Sequence, residues 1–208
     1  MTLRLCWIVL LLCGCSQRPA PPSAEIQERP FPDMSGRTIM LLPVQAATPT
    51  VTPPAGAVSA RALTSEGRAQ LEAELSFWLP EAAPRIRWVL PAAIDQRASR
   101  QPTLDVRARD LPVQDFLRAR LQSIGDPLYG DLRKLALLMD VRPALLPIGA
   151  VWIEETGGTG RIHLALALID TTGGAVIWYG VVAGAPGARV DQGTIASTAQ
   201  ALARMAAR

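Results

Sequence analysis

Residues 145–183 read LLPIGAVWIEETGGTGRIHLALALIDTTGGAVIWYGVVA, and this stretch decides the fold. The apolar runs 145–154, 161–169 and 175–183 are separated by Thr156-Gly157-Gly158-Thr159-Gly160 and by Thr171-Thr172-Gly173-Gly174. In the middle run Ile162, Leu164, Leu166 and Leu168 alternate with smaller or polar residues, which is the period of a strand. Gly-rich turns between such runs predict hairpins, so the segment reads as a three-stranded meander. In its last strand, strict alternation puts Trp178 with Val176 and Gly180, and Ile177, Tyr179 and Val181 opposite. Both sides are largely apolar, which predicts a central strand covered on both faces.

Working outward, residues 195–205 close the chain as an Ala-rich helix. Upstream of the meander, Asp126-Pro127 reads as a helix N-cap followed by proline at the first helical position. Leu128, Leu132, Leu135 and Met139 then repeat at helical intervals. Val113, Phe116, Leu117 and Leu121 share one side of a helix expected over 111–123, and residues 99–110 are polar and irregular. Pro91 suits the start of a short helix over 91–98. Ile86–Leu90 and Thr38–Val44 read as short buried strands. Between those two strands lie a Thr- and Pro-rich loop over 47–57 and a helix capped by Thr64, with Leu71, Leu75 and Trp78 on one face. Pro80 and Pro84 are expected to end that helix. The order is strand, helix, strand, helices, meander, helix. It predicts an α+β or three-layer α/β domain over 37–208: a mixed sheet of about five strands with helices packed on it.

Composition agrees with a packed domain. The chain has 208 residues, 49% hydrophobic and 19% charged, which excludes a disordered polymer. A net charge of +3 is too small and too dispersed for a nucleic-acid binder, and none is expected as a partner.

The N-terminus carries an address. Arg4 precedes an apolar run from Leu5 to Leu12, followed by Cys13-Gly14-Cys15-Ser16. That run is far shorter than the roughly 20 apolar residues of a membrane-spanning helix, so residues 1–14 read as an export signal. Leu12-Cys13-Gly14-Cys15 resembles the lipobox of bacterial lipoproteins. The resemblance implies that Cys15 receives diacylglycerol and becomes the first residue after cleavage. Ser16 after it, rather than Asp, implies sorting to the periplasmic face of the outer membrane under the enteric rule. Two or more acyl chains would make that anchor stable. Residues 15–36 then hold Pro19, Pro21, Pro22, Pro30 and Pro32, a tether that could extend up to roughly 65 Å. Cys6, Cys13 and Cys15 are the only cysteines, so residues 37–208 have neither a disulfide nor a thiolate metal site.

Further resemblances lie in the domain. Residues 38–44 resemble the opening strand of CsgG-like periplasmic lipoprotein domains, and Leu145–Val151 lies where those proteins place a strand ending in a Gly-Ala or Gly-Ser step. Leu168–Gly180 resembles their "LxDxxTGexxWxG" hairpin. The same topology belongs to the peptidoglycan-synthase activator lipoproteins and to the amino-terminal domain of the Tol propeller protein. Gly174 departs from the pattern, which often has Glu there, and 99–110 is an insert. The resemblance implies a non-enzymatic, lipid-anchored accessory protein. Its expected partner is a protein of an envelope machine for secretion, transport or cell-wall synthesis.

Chemistry-bearing residues are sparse. His163 is the only histidine and falls mid-strand, where a structural position is the default. Glu154 and Glu155 are neighbours in a strand and point to opposite faces, which argues against a catalytic pair. Gly157-Gly158-Thr159-Gly160 lacks the Lys and helix of a phosphate-binding loop. No enzyme activity, cofactor or metal is expected. Trp152 and Trp178, with Arg107 and Arg109 from the basic stretch 97–120, are the candidate partner surface. Such Trp and Arg surfaces would equally serve the alternative reading, a binding module for cell-wall glycan or lipid.

Overall fold

A computed structural model of the chain describes residues 30–49, 51, 56–117 and 121–208. Six strands form one sheet: β1 (Thr38–Leu41), β2 (Ala57–Ala62), β3 (Arg87–Val89), β4 (Pro143–Glu155), β5 (Thr159–Asp170) and β6 (Ala175–Ala183). Its order is β3-β1-β4-β5-β6, with β2 paired to β4 off that path. β1 runs parallel to β3 and β4, while β4–β5, β5–β6 and β2–β4 are antiparallel. The helices are α1 (Ser65–Ala82), α2 (Pro91–Ser99), α3 (Leu128–Met139) and α4 (Gln192–Ala206).

Two apolar layers enclose the sheet. On one face Leu71, Leu75 and Leu79 of α1 and Ile195, Ala199 and Leu202 of α4 meet Ile162, Leu164, Leu166 and Leu168 of β5. On the other, Ile94 of α2 and Leu128, Leu132 and Leu135 of α3 meet Ala165, Ala167 and Ile169. β5 therefore behaves as its alternation predicts, large residues toward one helix pair and small ones toward the other. The result is a three-layer α+β domain, with the meander and then a helix at its C-terminal end.

Two bulges reassign faces. β4 carries one between Pro147 and Gly149. Leu146 and Ile148 lie in the α2–α3 layer, while Ala150 and Trp152, with the same parity, lie in the α1–α4 layer. The extra residue is Ile148, while Pro147 turns its backbone toward the segment after β1, where its O accepts from Gln45 N–H and the ladder with β1 has ended. The second bulge lies opposite Leu168/Ile169, where Leu168 pairs with Trp178 and Ile169 with Val176. Ile177 is the extra residue and is 45% exposed. Trp178 therefore faces the α1–α4 layer while Val176 faces the other, correcting the shared side that strict alternation assigned them. β6 is also the last strand of the sheet rather than a central one. Its apolar character on both sides comes from the layers above and below.

The helix expected over 111–123 is not present among the described residues. Leu111, Val113 and Phe116 are buried without helical spacing, and only Gln114–Leu117 forms a 3-10 turn. Residues 122–124 instead flank the start of β6: Val176 N–H donates to Gln122 O, and Ile124 N–H donates to Gly174 O. A helix this short is marginal alone, and the backbone groups of an edge strand need partners. Tertiary pairing overrode the local pattern.

Smaller differences follow similar logic. α1 runs through Pro80 to Ala82, because proline's fixed φ is helical and burial of Leu79 and Ala83 offsets the one missing backbone bond. α3 begins at Leu128, one residue later than its proline signal, while Asp126 Oδ1 still accepts from Gly130 N–H at 3.0 Å. α4 starts at Gln192, set by a capping box between Asp191 and Thr194. β2, in a stretch with no alternation, exists because the far half of β4 extends beyond β1 and offers it a partner. Packing begins before Arg37: Phe31 is buried, with its ring edge-on to Trp178 at 5.2 Å.

Candidate functional site

An open sheet with parallel strands has a natural binding place. It is the crevice beyond the carboxyl ends of two adjacent strands whose connections leave in opposite directions. Here the corresponding place is beyond the carboxyl end of β1, beside the middle of β4, which runs on to Glu155 with β2 alongside. The chain passes from β1 to β3 through α1, and from β3 to β4 through α2 and α3. The protein fills this crevice itself. Gln45, 1% exposed, donates from Nε2 to Pro43 O at 2.8 Å and to Ala108 O at 2.9 Å. Its Oε1 accepts from Leu111 N–H at 2.9 Å. Its backbone N–H donates to Pro147 O. A Cβ on Gly149 would lie 2.0 Å from Ala47 O, so this loop lies directly on β4. Gln45 thus draws residues 108–111 over the end of β1 with each amide atom satisfied.

From that loop Arg109 reaches outward. Its Nη1 and Nη2 donate to the two Glu72 carboxylate oxygens at 3.0 Å each, and its Nε and Nη2 donate to Asp95 Oδ2 at 3.1 and 2.7 Å. The hydrogen bonds that Arg109 donates to Glu72 hold the guanidinium above its ordinary pKa against the opposing effect of burial, and those to Asp95 add to the rise. Arg109 joins α1 on one face of the sheet to α2 on the other.

The candidate partner residues therefore do not form one surface. Trp152 and Trp178 are 3% and 5% exposed and belong to the α1–α4 core, so neither offers a stacking platform. Large rings fill the space that the small residues of the meander leave: a Cβ on Gly160 would meet the Trp152 ring at 2.5 Å, and one on Gly180 the Trp178 ring at 2.3 Å. Arg109 is committed to its two carboxylates, while Arg107, two residues away, is exposed. Cys15 lies outside the described residues.

Glu154 accepts from Ser59 Oγ, and Glu155 pairs with Arg161 at 3.2 Å, each across a strand pair. Gly157 and Gly158 adopt positive φ in the β4–β5 turn, the conformational reason for glycine there. Among the described residues no three His, Cys, Asp or Glu side chains are grouped to hold a metal ion.

His163 is half-buried between Val151 and Ala183, and its Nε2 has no hydrogen-bond partner. Burial pushes its imidazole below the ordinary value of 6.5, against a smaller upward pull from Glu155; Arg161 adds a further downward push. The unfolded chain then binds the proton more readily than the folded one. Stability is expected to be undiminished above pH 6.5 and to fall as pH drops below that value. Urea melts across this range should show that slope, and His163→Gln should remove this part of it. An unchanged slope in the variant would exclude His163 as the source.

Among the described residues, concavities lie at both ends of the α1–α4 pair. One of about 520 Å³ lies between the N-terminal ends of α1 and α4, lined by Arg61, Thr64, Glu66, Gln70, Asp191 and Gln192. Both helix ends there are already capped, by Thr64 and by Asp191. The other, about 350 Å³, lies at the opposite ends of the same helices, between Phe31, Asp33, Arg85 and Arg208. Sequence reasoning missed Gln45, Phe31 and the pairing of Arg85 with Arg208 around this cavity. Only Phe31 left a trace, as an aromatic residue inside a Pro-rich stretch.

No protein-family model and no curated protein matches the chain. Among solved structures it is similar to lipoprotein GNA1162 from Neisseria meningitidis, at 12% identity, 76% of this chain, 90% of that chain and a TM-score of 0.42. It is also similar to the PelC dodecamer from Paraburkholderia phytofirmans in two crystal forms. Identity is 16% in both, with 84% and 86% of this chain and 91% and 93% of that chain covered, at TM-scores of 0.38 and 0.32.

Proposed function

We propose that the protein is a non-enzymatic accessory lipoprotein. It is anchored through Cys15 at the periplasmic face of the outer membrane and binds a protein partner of a cell-envelope machine. The observation that carries this reading is Leu12-Cys13-Gly14-Cys15 after a short apolar run, followed by a Pro-rich tether and one domain. The crevice where such sheets bind ligands is occupied by Gln45, which supports binding through the outer surface rather than chemistry within. Secretion, cell-wall synthesis and transport machines are the partner classes that the CsgG-like, synthase-activator and Tol resemblances point to. A pore of the curli-secretion kind is disfavoured, because the hairpins at 156–160 and 170–174 belong to the domain's own sheet.

Mass spectrometry of the mature N-terminus is expected to show an acylated Cys15, and Cys15→Ser should move the protein from the membrane to the soluble fraction. An unmodified chain cleaved elsewhere would sink the anchor. Crosslinking in the native envelope should return one specific protein. Retention on purified peptidoglycan without such a protein would favour the glycan-binding alternative.

A further inference from the structure

The end of the domain where the N-terminal segment enters is ringed with arginine. Arg37 and Arg87 stand side by side at the starts of β1 and β3, where Arg87 N–H donates to Arg37 O. Gly36 N–H donates to Arg85 O, which places Arg85 beside them. Arg85 and Arg208 line the same cavity, and Arg204 occupies the last turn of α4. All five side chains are exposed. Acidic side chains toward this end are Asp33, which feels Arg85, Glu81 in the last turn of α1, Asp140 after α3 and Asp170, paired with Pro143 at the start of β4, where Arg142 adds a further cation. Among these side chains the excess is positive.

Phe31 lines that same cavity and is buried, so the chain leaves the domain at a set point among these arginines. Ser16–Arg29 separate this point from Cys15 and span at most about 50 Å when fully extended. The tether therefore joins the domain at its basic end, which makes that end, rather than the one carrying the α1 and α4 N-termini, the nearer to the point of attachment. A tether of this length raises the local concentration of the surface to which it is attached, so a weak patch suffices. One lipid anchor plus a basic patch is a recognised two-signal arrangement for membrane residence.

We propose that the face bearing Arg37, Arg85, Arg87, Arg204 and Arg208 docks on a lipid surface rich in anionic phosphate headgroups. It would orient the domain with β2 and the N-termini of α1 and α4 away from the bilayer. The proposal rests on the anchor reading above, but its test does not use the acyl groups.

The mature chain with Cys15→Ser, which keeps every described residue, is sedimented with vesicles. It should bind vesicles containing phosphatidylglycerol, fail to bind pure phosphatidylcholine, and be released by high salt. The combined variant Arg85→Glu, Arg204→Glu and Arg208→Glu should lose at least about tenfold in bound fraction. The control Arg61→Glu with Arg107→Glu, both exposed and at the other end, should stay within about twofold. No binding by the Cys15→Ser chain, equal binding to neutral vesicles, or equal loss in both variants would overturn the proposal. Tighter, salt-sensitive retention on an acidic protein or DNA than on the vesicles would also overturn it. A failure of Cys15 acylation in the cell would leave these outcomes unaffected.

Discussion

Trp178→Ala is expected to lower the unfolding free energy by about 3–5 kcal/mol, the range for large aromatic truncations in cores. Trp178 sits on the last strand of the sheet, which alone would suggest tolerance. Its ring, however, is 5% exposed, lies against Gly180 and meets Phe31 edge-on. The variant loses the α1–α4 layer's largest contact beside β6 and also the seat of the N-terminal segment. Denaturant melts measure the first effect. A double-mutant cycle with Phe31→Ala measures the second, with a coupling of about 0.5–1.5 kcal/mol expected for the ring pair. A change within about 0.5 kcal/mol for the single variant would contradict the burial of this residue.

Gln45→Leu has a comparable expected cost by a different route. The replacement has similar size, so packing changes little. Leu111 N–H loses its acceptor, and Ala108 O and Pro43 O lose their donor, all within a sealed loop. Each buried backbone group left unpaired costs about 1–3 kcal/mol, less where a strained loop opens to water. A total of about 3–5 kcal/mol is expected in urea melts, with faster hydrogen exchange at Leu111. The loop 105–111 should loosen before the sheet does. Wild-type exchange at Leu111 together with an unchanged melt would show that Gln45 does not hold the loop.

The comparison between Gln45 and Arg109 explains which polar contacts matter. Both tie the same loop, and Arg109 makes more hydrogen bonds. Yet its side chain is 53% exposed, so water screens the ion pairs and competes for each donor. Gln45 is uncharged and buried, and nothing replaces its partners.

Much of the fold was legible because its signals are local and strong. β5 alternates without interruption from Ile162 to Ile169, the Gly-rich turns mark the strand ends, and Thr64, Pro91 and Asp126 mark helix starts within a residue or two. These features depend on backbone conformation and on the period of a strand or helix, both written in neighbouring residues. The resemblance to a lipobox is likewise carried by contiguous residues, which lie outside the described ones.

Local patterns specified the meander, the helices on each side and the Cys-free domain. Tertiary structure decided the rest, and the reason is the same in each case. A bulge at Ile177 or Ile148 shifts parity by one residue, and nothing in the alternation of a both-sides-apolar strand registers that shift. Residues 122–124 left a plausible helix for an edge pairing that exists only once β6 is in place. Trp152 and Trp178 went inside because the α1–α4 layer covers their face, with Gly160 on the neighbouring strand and Gly180 on the same strand leaving room for the rings. Gln45 looked like any loop residue until residues 108 and 111, more than sixty positions later in the chain, supplied its partners. Burial and hydrogen-bond satisfaction are properties of what the fold brings together, and only the folded chain shows them.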